Sequence, residues 1–67
     1  MREVKYEAIE DVIIVALTKK AVLTSIDGRE VWIPQSVIFE EDLAEMGEGV
    51  IMEINVQDWF CKKEGLV

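Results

Sequence analysis

The chain contains no histidine, one cysteine and one proline. Without histidine it lacks the usual general base and the commonest zinc ligand, and a single cysteine excludes an intramolecular disulfide. At 67 residues it is near the smallest size at which one apolar core folds unaided. Stability must therefore come from a well-packed core or from self-association. We expect a homo-oligomer, most simply a dimer, and no cofactor.

Basic residues are also scarce, with seven lysines and arginines against fourteen acids and a net charge of −7. Proteins that bind duplex DNA directly neutralise its phosphates with basic side chains, so this balance argues against such a function. It is typical of many soluble acidic proteins, and also of proteins that mimic a nucleic acid or dock on a basic partner.

The longest apolar run, residues 12–17, is too short to span a bilayer and follows acids rather than a basic leader. We therefore expect no membrane association, a cytoplasmic location and a reduced Cys61.

The strongest local pattern is Asp27-Gly28 between two β-prone runs. Asp-Gly favours a two-residue hairpin turn, because both central residues of that turn take positive φ. The resulting register pairs Leu23 with Trp32 and places both on one face of the hairpin. The opposite, core-facing side then carries Val22, Thr24, Ile26, Val31 and Ile33.

Three further segments are predicted to be strands. Val4, Tyr6 and Ala8 alternate with charged residues, which predicts a half-buried first strand. Residues 12–17 predict a second strand, buried on both faces or lying at a contact, and residues 50–56 predict the last. Residues 35–38 are expected to form one tight helical turn, and residues 40–49 a solvated acidic loop.

Residues 56–64 predict a short C-terminal helix. Val56, Trp59 and Phe60 share one face by helical spacing, Asn55 is the expected N-cap, and Gly65 is the expected left-handed stop. Five short strands in meander order with one helix predict a single, mainly β domain over residues 1–67. We expect a small, bent five-stranded sheet or barrel of the Src-homology or Sm-like kind.

The residues that carry chemistry elsewhere have simpler explanations in this chain. Ser36 lacks a histidine to activate it and is expected to satisfy the backbone after Pro34. The acids of residues 40–49 do not have the spacing of a calcium loop. Cys61 is expected to be a packing residue, although Lys62 and Lys63 beside it favour a lower thiol pKa. We expect that the protein is not an enzyme.

Trp32 leaves two interpretations open. In the first, the terminal helix folds over the face that carries Trp32, and the indole packs on Trp59 or Phe60. In the second, that face is a contact surface, since aromatic anchors are over-represented at interfaces.

The motif Trp-Ile-Pro-Gln-Ser at residues 32–36 follows a Lys-Ala-apolar-Leu strand and the Asp-Gly turn, and the chain closes with a Trp-containing segment and Gly-Leu. From Lys20 to the C-terminus, this combination resembles a group of small bacteriophage and prophage proteins with a recurring Trp-Ile-Pro-Lys-Ser pattern. The resemblance implies a phage origin and a small barrel, and it carries no particular activity. Gln35 stands where the pattern has lysine, so a phosphate-binding role is not carried over to that position.

These observations favour a non-enzymatic, phage-type accessory protein that binds and inhibits a host protein or defence system in the host cytoplasm. The alternative is an oligomeric sponge that sequesters a nucleotide signal between subunits. There Trp32 would stack on a base, and Arg29 or the Lys19-Lys20 pair would meet the phosphates. A single-stranded nucleic-acid binder is disfavoured by the charge. The candidate binding residues are Trp32, Gln35, Ser36, Arg29, Lys19 and Lys20.

Overall fold

The computed structural model describes residues 3–66. Within that range, one antiparallel sheet contains four strands: β1 (Tyr6–Leu17), β2 (Ala21–Ile26), β3 (Arg29–Pro34) and β4 (Ile51–Gln57). Their order in the sheet is β3-β2-β1-β4. A 3₁₀ turn (Gln35–Val37) and helix α1 (Glu40–Glu45) connect β3 to β4, and helix α2 (Asp58–Glu64) follows β4. The prediction of a mainly β fold with a short C-terminal helix is confirmed.

The central hairpin has the predicted register. Asp27 and Gly28 adopt positive φ values of 51° and 79°, and Leu23 pairs with Trp32 across the β2–β3 ladder. The five residues predicted to face the core do so. Four of them are buried and Ile26 packs against the core from its margin. Local turn chemistry therefore sets both the pairing and the facing of this hairpin.

The prediction of five strands is wrong, because the first two predicted strands are one continuous strand, β1. Its pairing with β4 shifts between Ile9 and Val12, and Asp11 there has a positive φ of 55°. Such a bulge inserts one extra residue without ending the strand. Ile9 and Val12 consequently both face the core, while Val4, Tyr6 and Ala8, the apolar side of the predicted half-buried strand, are exposed.

The predicted barrel is not formed either. β3 and β4 lie at opposite edges of the sheet and do not pair with each other. The chain after the 3₁₀ turn makes an isolated bridge from Ile38 to Val56, on the outer edge of β4. The tight turn expected at residues 35–38 is present, and it buries both Val37 and Ile38.

One face of the sheet carries the core. Thr24 is the buried polar residue within it, and its hydroxyl donates to the Val31 carbonyl at 2.9 Å. Helix α2 closes this face with Phe60 and Cys61. The buried apolar residues are Ile9, Val12, Ile14, Val22, Val31, Ile33, Val37, Ile38, Ile54, Val56, Phe60 and Cys61.

The segment predicted to be an acidic loop contains helix α1 instead. Its first turn carries three acids, Glu40, Glu41 and Asp42, which the positive end of the helix dipole stabilises. Leu43 and Met46 pack against the core and hold the helix in place.

The terminal helix begins two residues later than predicted. Val56 remains in β4, and Gln57 rather than Asn55 occupies the N-cap position. Gly65 adopts the predicted left-handed conformation with φ of 70°, and Leu66 packs against the core beyond it. None of the helices formed by residues 3–66 is long and apolar enough to cross a membrane.

Candidate functional site

Trp32 lies on the face of the sheet opposite to the core and is 53% exposed. The interpretation in which the terminal helix covers it is wrong, because α2 packs on the core face through Phe60 and Cys61. Trp59, the other partner expected for Trp32, is itself 55% exposed. In this chain the Trp32 side of the sheet is therefore open to solvent.

Trp32 belongs to a contiguous apolar area that crosses all four strands, which we call the outer surface. Leu23 lies between Trp32 and Ala16 in one cross-strand row. Ile13, from the neighbouring row, pairs with Ile51 of β4. The outer surface consists of Ile13, Val15, Ala16, Leu23, Trp32 and Ile51.

The outer surface exposes large side chains. Ile13 is 40% and Ile51 63% exposed, and Val15 is exposed in a second irregularity of β1, where the pairing shifts between Ile14 and Ala16. The prediction for residues 12–17 offered burial on both faces or a contact. One side is in the core and the other is exposed. Contiguous apolar areas of this kind mark interaction sites more often than scattered single residues do.

Gln35 fastens the 3₁₀ turn to the β1–β2 turn. Its side-chain Nε2 donates to the Thr18 carbonyl at 2.6 Å, and its backbone N–H donates to the Lys20 carbonyl at 2.8 Å. Lys19 and Lys20 are exposed in the β1–β2 turn. Of the candidate binding residues, Gln35 is thus joined to Lys20 by a backbone hydrogen bond, and Lys19 and Ser36 are their neighbours in the chain.

Ser36 is exposed, and its backbone carbonyl accepts a hydrogen bond from Gln57 Nε2 at 3.3 Å. This contact ties the turn to the end of β4. Within residues 3–66 the Ser36 hydroxyl makes no such bond, so the expected bond from this hydroxyl to the backbone after Pro34 is not formed.

Arg29 is not brought to the Trp32 side. Residues alternate between the two faces of a strand, and Arg29 lies on the same face of β3 as Val31 and Ile33. Its Nη2 donates to the Glu64 carbonyl at 2.9 Å, which anchors the C-terminal end of α2. A nucleotide site that combines Trp32 stacking with Arg29 on the phosphates is therefore not assembled in this chain.

The single thiol is a packing group. Cys61 is buried, and its Sγ lies 3.7 Å from the Val56 carbonyl oxygen. Burial raises the pKa of the Cys61 thiol, and the negative charges of Glu7 and Asp58 add to the effect. The lowered thiol pKa expected beside the lysines is therefore not found, and the neighbouring Lys62 pairs with Asp58 at 3.0 Å. The packing interpretation of Cys61 is confirmed.

The ion pair between Lys62 and Asp58 favours the negatively charged form of Asp58 at the start of α2. The hydrogen bond from Lys62 lowers the pKa of Asp58. Among residues 3–66, no group of three or more Cys, Asp or Glu side chains is arranged to hold a metal ion.

A shallow groove beside Trp59 was not predicted from the sequence. It has a volume of about 320 Å³ and lies between the residues preceding β1 and the start of α2. The Trp59 indole N–H donates to Gln57 Oε1 at 2.6 Å, so the ring lies along the groove rather than in the core. Phe60 is buried, Trp59 is exposed and Val56 lies in β4, so the shared helical face predicted for these three residues is not formed.

No known protein family, curated protein or solved structure matches this chain.

Proposed function

We propose that this is a non-enzymatic binding protein that docks on another protein through the outer surface, with Trp32 as the main anchor. The observation that carries the proposal is the contiguous, exposed apolar area across four strands with a half-exposed indole in it. Tryptophan is enriched among the residues that dominate binding energy.

The charge favours a particular kind of partner. The chain carries a net charge of −7, whereas the six residues of the outer surface are apolar, and Ser25 and Glu30 adjoin them in the row of Ile13. A partner with an apolar patch and a basic rim would match this surface, since complementary charge speeds association and rejects acidic competitors.

The resemblance to small phage and prophage proteins suggests which organism the partner comes from. In that setting the partner is a protein of the host bacterium, such as a component of a defence system. Docking inhibits it by occupying the surface it uses for its own contacts. This mechanism needs no reacting group, which fits a buried Cys61 and an exposed Ser36 that uses its backbone in the turn.

The alternative of a nucleotide sponge has less support. Trp32 is accessible for stacking, but Arg29 is held on the opposite face by the Glu64 carbonyl. Of the candidate binding residues in one chain, the Lys19-Lys20 pair remains for phosphates, and it lies in the β1–β2 turn.

The decisive experiment compares Trp32→Ala with Trp59→Ala. The two indoles are almost equally exposed, at 53% and 55%, but only Trp32 lies on the outer surface. Proteins that co-purify with the tagged chain from a host lysate are identified, and each is then purified and titrated. We expect Trp59→Ala to bind like the wild type. Trp32→Ala should raise the dissociation constant about 30-fold or more, as loss of a main anchor residue does.

Two results would contradict the proposal. Equal weakening by both variants would show that the outer surface does not select the partner. A rise in melting temperature with a cyclic dinucleotide, lost in Trp32→Ala, would favour the sponge instead.

A further inference from the structure

The two edges of the sheet differ in how their backbone groups are satisfied. On the β4 edge, the Phe39 N–H donates to the Asn55 carbonyl at 2.9 Å. The Asp42 carboxylate accepts from the Asn55 backbone N–H at 2.8 Å and from its side-chain amide at 3.1 Å. Covered edges of this kind prevent pairing with another chain.

The β3 edge has no such cover. In an antiparallel ladder, hydrogen-bonded pairs alternate with pairs that are not bonded to each other. The pair that flanks the two-residue turn, Ile26 and Arg29, is of the bonded type. Gln35 lies six residues after Arg29, an even number of steps, and its N–H donates to the Lys20 carbonyl. Every second residue from Arg29 to Gln35 therefore bonds to the β2 side. Glu30 and Trp32 therefore direct their N–H and C=O groups away from β2.

These outward groups find no protein partner within residues 3–66. Pro34, next in the same alternation, has no N–H and limits how far a ladder can extend. The open part of the edge is therefore short and centred on Glu30 and Trp32.

We propose that β3 pairs with β3 of a second copy of this chain, antiparallel and about a two-fold axis close to Trp32. Antiparallel pairing about such an axis is self-complementary, so the N–H and C=O groups of Glu30 and Trp32 meet the corresponding groups of the second copy. The register that places Glu30 opposite Trp32 satisfies these groups and keeps the two Glu30 carboxylates apart. Like charges directly opposite each other would be destabilising.

The first half of β1, which β2 does not reach, is the other open stretch of strand edge. Pairing with a second copy is favoured at β3 rather than there. Beyond the end of β2, β1 carries Glu7, Glu10 and Asp11 and is interrupted by the bulge. Two copies joined there would place acids against acids. β3 has both an arginine and a glutamate, so its own sequence is nearly neutral.

This dimer does not depend on the proposed function, because it uses the edge of β3 and leaves the outer surface open. One sheet would run through both copies, and their outer surfaces would join side by side with the two Trp32 residues near the axis. A partner would then meet a surface about twice as wide.

The test uses Glu30→Pro with Glu30→Ala as the matched control. Proline removes the outward N–H and places its ring on the open edge, while the bonds between β2 and β3 are kept, since residue 30 makes none of them. Alanine removes the same charge and keeps the N–H. Light scattering should give a dimer of the 7.7 kDa chain for the wild type and Glu30→Ala. Glu30→Pro should raise the dimer dissociation constant at least about tenfold.

Amide hydrogen exchange of the wild type keeps the test valid if Glu30→Pro fails to fold. We expect the Glu30 and Trp32 amides to exchange slowly at concentrations where the dimer forms and rapidly on dilution. A monomer at all concentrations would overturn the proposal. So would a dimer that survives in a folded Glu30→Pro variant, or amides that become protected only when a host protein is added.

Discussion

At the level of single residues, Trp32 and Ile33 are adjacent in β3 and have opposite roles. Ile33 is fully buried in the core, whereas Trp32 is half-exposed on the outer surface. We predict that Ile33→Ala lowers the free energy of unfolding by about 2–5 kcal/mol, the usual range for a large buried side chain. Trp32→Ala should lower it by less than about 1 kcal/mol.

Urea denaturation followed by circular dichroism measures both values. It should be done at a concentration where each variant is monomeric, because dimer formation adds to apparent stability. A loss for Trp32→Ala as large as that for Ile33→Ala would mean that the indole is packed within the single chain.

Two glycines provide a second contrast at this scale. Gly28 has a φ of +79° in the hairpin turn, whereas Gly47 does not adopt a left-handed conformation and a Cβ there would meet Val50 at an ordinary 3.5 Å. We predict that Gly28→Val costs about 1–3 kcal/mol through backbone strain, although nothing lies near the new side chain. Gly47→Val should change the melting temperature little. Equal losses in the two melts would contradict the turn geometry.

At the level of elements, what the sequence predicted well was determined by local chemistry. The hairpin register follows from the φ preferences of Asp27-Gly28, and the end of α2 follows from Gly65. Neither requires knowledge of distant contacts.

The elements that were predicted wrongly depend on contacts from elsewhere in the chain. The sequence predicts two separate strands on either side of Glu10-Asp11, but pairing with β4 carries β1 through these residues as a bulge. The acids of α1 were interpreted as a solvated loop. Leu43 and Met46 hold this segment against the core as a helix. Their contacts cannot be predicted before the position of the core face is known.

Helix α1 also leads to a prediction about the β4 edge. Asp42 accepts two hydrogen bonds from Asn55, while Glu41, in the same turn of the helix, is exposed. Asp42→Ala leaves the Asn55 amide without its acceptor, so we expect a loss of about 1–3 kcal/mol. Glu41→Ala should lose less than about 0.5 kcal/mol. Thermal melts give the stabilities, and faster exchange of the Asn55 amide in Asp42→Ala alone would locate the effect; equal exchange in both variants would count against it.

At the level of the whole molecule, the candidate site was predicted in part. Local periodicity predicts that Trp32 points away from the core face of the hairpin. It does not predict which face of the sheet α2 covers. The same periodicity separates Arg29 from Trp32, because they are three positions apart in one strand and so point to opposite faces. The hydrogen bond from Arg29 to the Glu64 carbonyl connects residues 35 positions apart, so no local sequence pattern predicts it.

The last prediction separates the two surfaces of the molecule, and it uses Ile51. This residue lies on the outer surface, is 63% exposed, and belongs to β4, at the edge opposite to β3. Ile51→Asp places a charge where an apolar contact with the partner is proposed, and burying an uncompensated carboxylate is strongly unfavourable. We expect the partner's dissociation constant to rise at least about tenfold, while light scattering still gives a dimer. Glu30→Pro should have the reverse effect, giving a monomer in which each chain still binds the partner. If Ile51→Asp instead separates the dimer, the two copies meet face to face through the outer surface, and the pairing of β3 strands is wrong.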